Sequence, residues 1–230
     1  MPMPPRCRII AECASNHGGS VDCIDRMIEA AQAADFVKFQ AYQTARLSGD
    51  DPQYTWLEQA ELSLTTIRHI VDKLGPRALF SVFDAEMVYR LRQFGIKAFK
   101  VGHADRWRKL WAAASADEEW FISCAWGQDL PEDRAYITPL VVIPIYPAQL
   151  GALAALPAFP DGYSDHTIGL DACKIMMARG VMVIEKHFSI EGCRRQPWDM
   201  DEAGLAELGA WSKVCATAQN GTDQAERWGR

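Results

Sequence analysis

No stretch of this chain approaches the roughly 18 consecutive apolar residues that a membrane-spanning helix requires. The opening Met1-Pro2-Met3-Pro4-Pro5-Arg6 lacks the apolar segment of a signal peptide, so the chain reads as cytoplasmic, with no membrane partner. Positive charge is not in excess either. Against 24 Lys and Arg stand 30 Asp and Glu, a net charge of −6, which argues against nucleic acid as a partner. None of the seven cysteines forms a Cys-x-x-Cys pair. Zinc-ribbon and thioredoxin-type readings therefore fail, and most of the cysteines read as thiols in a reducing compartment. No repeat, low-complexity tract or Pro/Gly/Ser-rich linker marks a second domain. What is present is 230 residues at 49% apolar, enough chain for one well-buried core.

The dominant pattern is a short β-branched or aromatic run, a polar loop and a helical-period stretch, repeated. Strands are predicted at 7–13, 36–42, 78–83, 98–102, 120–125, 141–146, 162–166 and 181–188. Several are nearly continuous apolar runs, as parallel strands buried on both faces require. Helical patterns fall between them at 22–33, 64–74, 86–94, 171–179 and 201–218, with Ser63 as a cap and Gly75, Gly95 and Gly180 as stops. Eight such alternations, in a chain near the ~250 residues typical of the class, predict an α/β fold, a (β/α)8 TIM barrel. The expected organisation is one compact domain over 1–230, with 217–230 as a polar tail. A doubly wound open sheet is the rival, but it normally uses fewer strands at this length.

In such a barrel the chemistry sits at the carboxyl ends of the strands. Four of the five histidines (His17, His103, His166 and His187) follow or end predicted strands, which favours a functional cluster. Period-2 alternation then sorts the faces. Lys38 and Gln40 share one face of strand two, and burying them outward among apolar helices would be costly, so they point into the barrel mouth. Ser164 and His166 share a face, as do Glu185 and His187. Strands seven and eight are neighbours, so the two histidines sit side by side, a plausible divalent-metal pair. Asp165 and Lys186 fall on the opposite face and are expected to pair with each other in the helix layer. Glu12 ends strand one facing the pocket, where a general base or water-orienting group belongs. Lys38 and Lys100, with Ser81 and Ser123, suit an anionic ligand carrying phosphate or carboxylate.

These residues carry a family resemblance. Ile9-Ile10-Ala11-Glu12, Asn16-His17-Gly18-Gly19, Val37-Lys38-Phe39-Gln40, Ser164-Asp165-His166-Thr167-Ile168-Gly169 and Val183-Ile184-Glu185-Lys186-His187-Phe188 stand in the order found in the N-acetylneuraminate (sialic acid) synthase family. The likeness runs from about residue 8 to 208. It implies a transferase that condenses phosphoenolpyruvate with the aldehyde of an open-chain sugar and releases phosphate. By that resemblance a divalent cation, most often Mn2+ with Mg2+, Co2+ or Fe2+ as alternatives, is held by His166 and His187. Phosphoenolpyruvate is gripped by Lys38 and Lys100 with hydroxyls at Ser81, Ser123 and Ser164. Glu12 works near the reacting carbons, Gln40 and Asp105 contact the acceptor, and Tyr146 lines the pocket. A third metal ligand from Glu12 or Asp199 would complete a two-histidine-one-carboxylate set.

Departures from the family pattern fall mostly on the acceptor side. Relatives of this kind commonly carry a C-terminal antifreeze-like domain whose arginine caps the neighbouring subunit's site. No such domain is read in this sequence. A homodimer is implied by analogy, and a separate capping protein is the other way to close the mouth. Ile143 stands where an asparagine is usual, and His103 where a serine is. The segment 192–199 after strand eight carries Arg194, Arg195 and Asp199, which are expected to contact the acceptor from a lid, against the plainer reading of solvated surface arginines. The loop 43–56 is the second lid candidate. Together these features predict an acceptor other than N-acetylmannosamine. Two further readings stay open at this point, namely aldolase, isomerase or lyase chemistry on a phosphorylated substrate, and a non-catalytic degenerate barrel.

Overall fold

Segments of four to seven residues, largely buried on both faces, become the strands of this chain. A computed structural model describes residues 6–47, 49–50, 52–103, 109–125, 136–156 and 161–228. In it β1 (Arg8–Ala14), β2 (Phe36–Ala41), β3 (Ala78–Val82), β4 (Ala98–Val101), β5 (Glu119–Ala125), β6 (Ile137–Val142), β7 (Gly162–Asp165) and β8 (Val183–His187) pair in parallel in chain order. β8 closes on β1, so the barrel is complete and the open-sheet alternative falls. Around it lie α1 (Val21–Ala30), α2 (Tyr54–Ala60), α3 (Leu64–Leu74), α4 (Ala85–Gln93), α5 (Asp171–Ala178) and α6 (Glu202–Trp228).

Local chemistry explains the boundaries. Ser20, Ser63 and Asp84 each accept a hydrogen bond from an N–H in the first turn of α1, α3 and α4. α3 stops where Gly75 takes φ +56°, a conformation that costs glycine nothing. Strand six departs from the sequence reading, which placed it at 141–146. It begins at Ile137 and ends at Val142, with Pro139 inside it. A proline has no N–H for a ladder, but β7 pairs with β6 only from Leu140 onward, so Pro139 lies where that side carries no partner strand. The loop 43–56 is partly helical, because α2 begins at Tyr54. α6 runs on past 218 to Trp228, since extending a formed helix costs little per residue even in a polar segment.

Inside the barrel the alternation builds layers. Ile10, Leu79, Ala98, Phe121, Leu140 and Val183, with Phe36 against them, make an apolar floor. β7 supplies Gly162 at this level, where a Cβ would lie 2.2 Å from Leu140 Cδ2. Below the floor, Arg8 binds Glu119 and lies over the rings of Phe36 and Phe121 at 5.6 and 5.5 Å. Two residues further along, the inner face turns polar on every strand but β6, which presents Val142, and that layer forms the site.

The seven cysteines divide into two groups. Five are buried thiols, as the composition suggested. Cys23 and Cys193, however, are paired, with Cα atoms 6.0 Å apart across 170 residues of sequence. Such a distance in sequence leaves no local spacing to read.

Candidate active site

The inner polar positions converge on a cavity of about 220 Å³ at the carboxyl end of the barrel. Lys38 of β2 lies against the Glu12 carboxylate, 3.0 Å from Glu185 Oε2 and 3.0 Å from Ser81 Oγ. Lys100 of β4 donates to Ser123 Oγ at 2.6 Å and to the Val101 carbonyl at 3.0 Å, and Glu185 Oε1 stands 3.7 Å away. Ser164 Oγ donates to Glu185 at 2.7 Å. Two ammoniums, two carboxylates and three hydroxyls thus form one buried network.

Burial dominates its electrostatics. It pushes the Lys38 ammonium down to about 8, against the opposing pull of Glu185, and lowers Lys100 as well. Burial alone would raise the Glu185 carboxyl, but Lys100 and Lys38 together hold it below the usual carboxylate range. Neither Glu12 oxygen has a hydrogen-bond partner among the described residues, and with Oε2 against Lys38, Oε1 is left open. An incoming anion can exchange carboxylates for its own oxygens at either ammonium without taking a new positive charge out of water.

Above this layer stand the imidazoles of His166 and His187, ring centroids 5.6 Å apart. His166 Nδ1 lies 3.0 Å from the Ile143 carbonyl oxygen. A carbonyl only accepts, so Nδ1 carries the proton and Nε2 keeps its lone pair. Burial lowers His166 to about 4; burial, reinforced by His166 and Lys38, lowers His187 well below its usual value. Both rings are therefore neutral at physiological pH, the state a metal requires. The pair fits two positions of a divalent site. Among the described residues no three His, Cys, Asp or Glu side chains converge as a ready ligand set. Tyr146 stacks on His166 with centroids 3.8 Å apart and stands 5.4 Å from the Trp198 ring, forming an aromatic wall.

On the outer face Lys186 reaches Asp165 at 2.7 Å, both fully buried, as the alternation predicts. Asp165 also accepts from the Tyr163 hydroxyl and from the Thr167 N–H and hydroxyl, which pins the backbone on both sides of His166.

The mouth collects Glu12, Lys38, Gln40, Ser81, Lys100, Ser123, Tyr146, Ser164, His166 and His187 from the sequence reading, with His103 beside them. Asp105 lies outside the described residues. Asp199 is placed behind His187. Its Oδ2 accepts from the Asn16 amide and the Gln196 N–H, and its Oδ1 lies 4.0 Å from His187 Nδ1. Arg195 is half exposed and binds Asp201 at 3.0 Å, as the surface reading of the arginines has it. Arg194 lies 4.3 Å above the Trp56 ring rather than over the cavity. His17 is buried away from the lining, its Nδ1 accepting from the Gly19 N–H at 3.0 Å. The residue given no role in advance is Glu185, which joins the two lysines. Its inward face was legible from the period-2 pattern; its position between two ammoniums was not.

Fold and mouth together define a (β/α)8 barrel whose carboxyl end holds two buried ammoniums beneath a pair of imidazoles. The chain is similar to sialic acid synthase-like proteins. Residues 145–218 match the NeuB family. The chain is 29% identical to the N,N'-diacetyllegionaminic acid synthase of Campylobacter jejuni, covering 80% of this chain and 67% of that protein. It is 27% identical to the enzyme of the same name from Legionella pneumophila, covering 80% of this chain and 64% of the relative. The chain thus spans about two thirds of these relatives' length. Among solved structures, the sialic acid synthetase of Leptospira borgpetersenii in complex with citrate superposes with a TM-score of 0.81. That likeness, at 23% identity, covers 93% of this chain and 85% of the other and speaks for the fold. No helix among the described residues is long and apolar enough to cross a membrane.

Proposed function

We propose that this barrel is a divalent-cation-dependent synthase that condenses phosphoenolpyruvate with a sugar-like aldehyde and releases phosphate. The observation that carries the reading is the buried Lys38–Glu185–Lys100 network, hydroxyl-lined and directly below two neutral imidazoles. Lys38 and Lys100 bind the anionic ends of phosphoenolpyruvate, one nearer the phosphate and one nearer the carboxylate. Ser81, Ser123 and Ser164 orient its oxygens, and the apolar floor beneath excludes water from that side. His166 and His187 would hold the cation, which when bound withdraws electron density from the aldehyde carbonyl. The enol carbon then forms the new C–C bond, the adjacent carbon becomes electron-poor, and water adds there. Glu12, with Oε1 unpartnered, orients that water and accepts its proton. Loss of phosphate leaves the keto acid.

Acceptor selection falls to the rim, where Gln40, His103 and Tyr146 line the opening. The backbone of Ile143 holds His166, and its apolar side chain offers no hydrogen bond to a sugar, which favours an acceptor other than N-acetylmannosamine. Phosphate release from phosphoenolpyruvate, measured over a panel of aldoses with and without Mn2+, tests the reading. Release that requires both an aldose and the cation is expected. The absence of release with every acceptor would overturn it in favour of other barrel chemistry or a non-catalytic role.

A further inference from the structure

After β8 the chain turns at Gly192, φ +84°, and runs back across the start of α1. This strap is tied down by hydrogen bonds. Arg26 donates to the Glu191 carbonyl at 2.6 Å, the Arg194 N–H to the Asn16 carbonyl at 3.0 Å, and the Asn16 amide to Asp199 at 3.0 Å. One fastening is of different chemistry. Cys23, in the first turn of α1, meets Cys193 in the strap, and their Cα separation of 6.0 Å lies within the span a disulfide bridges.

We propose that Cys23 and Cys193 form a reversible dithiol–disulfide couple, exchanging with small-molecule disulfides and thiols, that fastens and releases the strap beside the barrel mouth. Cys23 is itself buried, so Cys193 is the accessible end of the pair, and three features bear on the pair's reactivity. The five free cysteines are buried, and burial pushes Cys7 up to about 12 and raises Cys13, Cys173 and Cys215, which keeps them protonated and slow to react. Cys193 is only half-buried, so an incoming disulfide reaches its sulfur. Cys23 sits three residues after the Ser20 cap, where the backbone N–H groups of a helix start favour a thiolate.

The exchange balances in two steps. The Cys193 thiolate attacks a small-molecule disulfide, forming a mixed disulfide and expelling one thiolate. The Cys23 thiolate then attacks the Cys193 sulfur, closing the protein disulfide and expelling the second. Two electrons pass from the cysteines to the small disulfide, and the two protons end on the two thiols released. An excess of thiol runs both steps backward, with Cys23 as a well-stabilised leaving group.

The strap also bears on the mouth. It carries Arg194, stacked on Trp56, and Trp198, whose ring packs near Tyr146 and hence against the His166 wall. A consequence for the acceptor rests on the function proposed above; the couple itself does not.

The test equilibrates the whole protein with oxidised or reduced glutathione, quenches in acid, unfolds it, alkylates the thiols and weighs the product. Seven alkyl groups are expected after reduction. After oxidation two fewer are expected, with Cys23 and Cys193 recovered in one linked peptide, and the reduced count should return on adding thiol. The Cys193→Ser variant should carry the same label count in both buffers. An unchanged count in oxidised wild-type protein, or a linked pair other than this one, overturns the couple. Brief trypsin treatment reads the strap itself. Cleavage after Arg194 and Arg195 should be several-fold faster in the reduced wild type than in the oxidised, and as fast in Cys193→Ser under either buffer. Equal cleavage of the two wild-type forms overturns the fastening role. Neither readout uses phosphoenolpyruvate, so failure here is distinct from failure of the synthase reading.

Discussion

Replacing Lys186 by Met removes an ammonium that lies 2.7 Å from Asp165 Oδ2 and 2.8 Å from the Thr167 carbonyl, in a position fully buried on the outer face of β8. Methionine refills most of the volume, so the cost is electrostatic rather than a cavity. Breaking one side of a buried pair typically costs about 3–5 kcal/mol, because the remaining charge is left uncompensated. Here the remaining carboxylate still accepts from the Tyr163 hydroxyl, the Thr167 N–H and hydroxyl, and the Cys173 thiol. That cushioning places Lys186→Met near the lower end, about 3 kcal/mol. Asp165→Ala is worse, since it leaves the ammonium with one carbonyl and strands the other donors, and it belongs near about 5 kcal/mol. The double variant should cost less than the two singles together by about 2 kcal/mol or more, since neither charge is then left alone. Urea unfolding measures all three. At a slope of about 3 kcal/mol/M, as suits a chain of this size, Lys186→Met should lower the midpoint by about 1 M. A Lys186→Met loss larger than that of Asp165→Ala, or strictly additive singles, would refute the reasoning and detach this pair from the support of His166.

Three further outcomes follow from the same geometry. Lys38→Ala should weaken phosphoenolpyruvate binding by about 1.5–3 kcal/mol, read by calorimetry; an unchanged Kd would remove Lys38 from the anion site. His166→Ala and His187→Ala should each abolish stoichiometric Mn2+ uptake with the melting temperature retained, and undiminished metal content in both would exclude the imidazole pair as the ligand set. His17, which burial lowers to about 4, stays neutral in the fold where the unfolded chain already binds a proton. Its contribution is therefore complete above about pH 6.5 and is lost as the pH falls toward 4, worth roughly 3 kcal/mol over that window. His17→Gln should flatten the acid limb of the stability curve, and an identical limb in the variant would show that other groups set it.

Much of this protein is decided locally. Whether a strand residue faces the barrel interior depends only on the two-residue period of the backbone. That is why Lys38, Gln40, Ser164, His166 and the outward Asp165–Lys186 pair stand as the sequence predicts. The strand–helix alternation, with Ser63 and Gly75 bounding α3, is equally a property of short segments. Tertiary structure decided whatever depends on distance between remote parts. Glu185 faces inward by its own period, but only closure of the ring sets it between Lys38 and Lys100. Pro139 is tolerated in β6 because its neighbour strand starts one residue later, which no window around Pro139 records. Arg194 rests on Trp56, Asp199 sits behind His187, and Cys23 meets Cys193 because the strap after β8 folds back over α1. Facing is fixed by the covalent geometry of neighbouring residues, whereas contacts such as Cys23–Cys193 and Arg194–Trp56 exist only once the barrel has brought loops more than a hundred residues apart onto one rim.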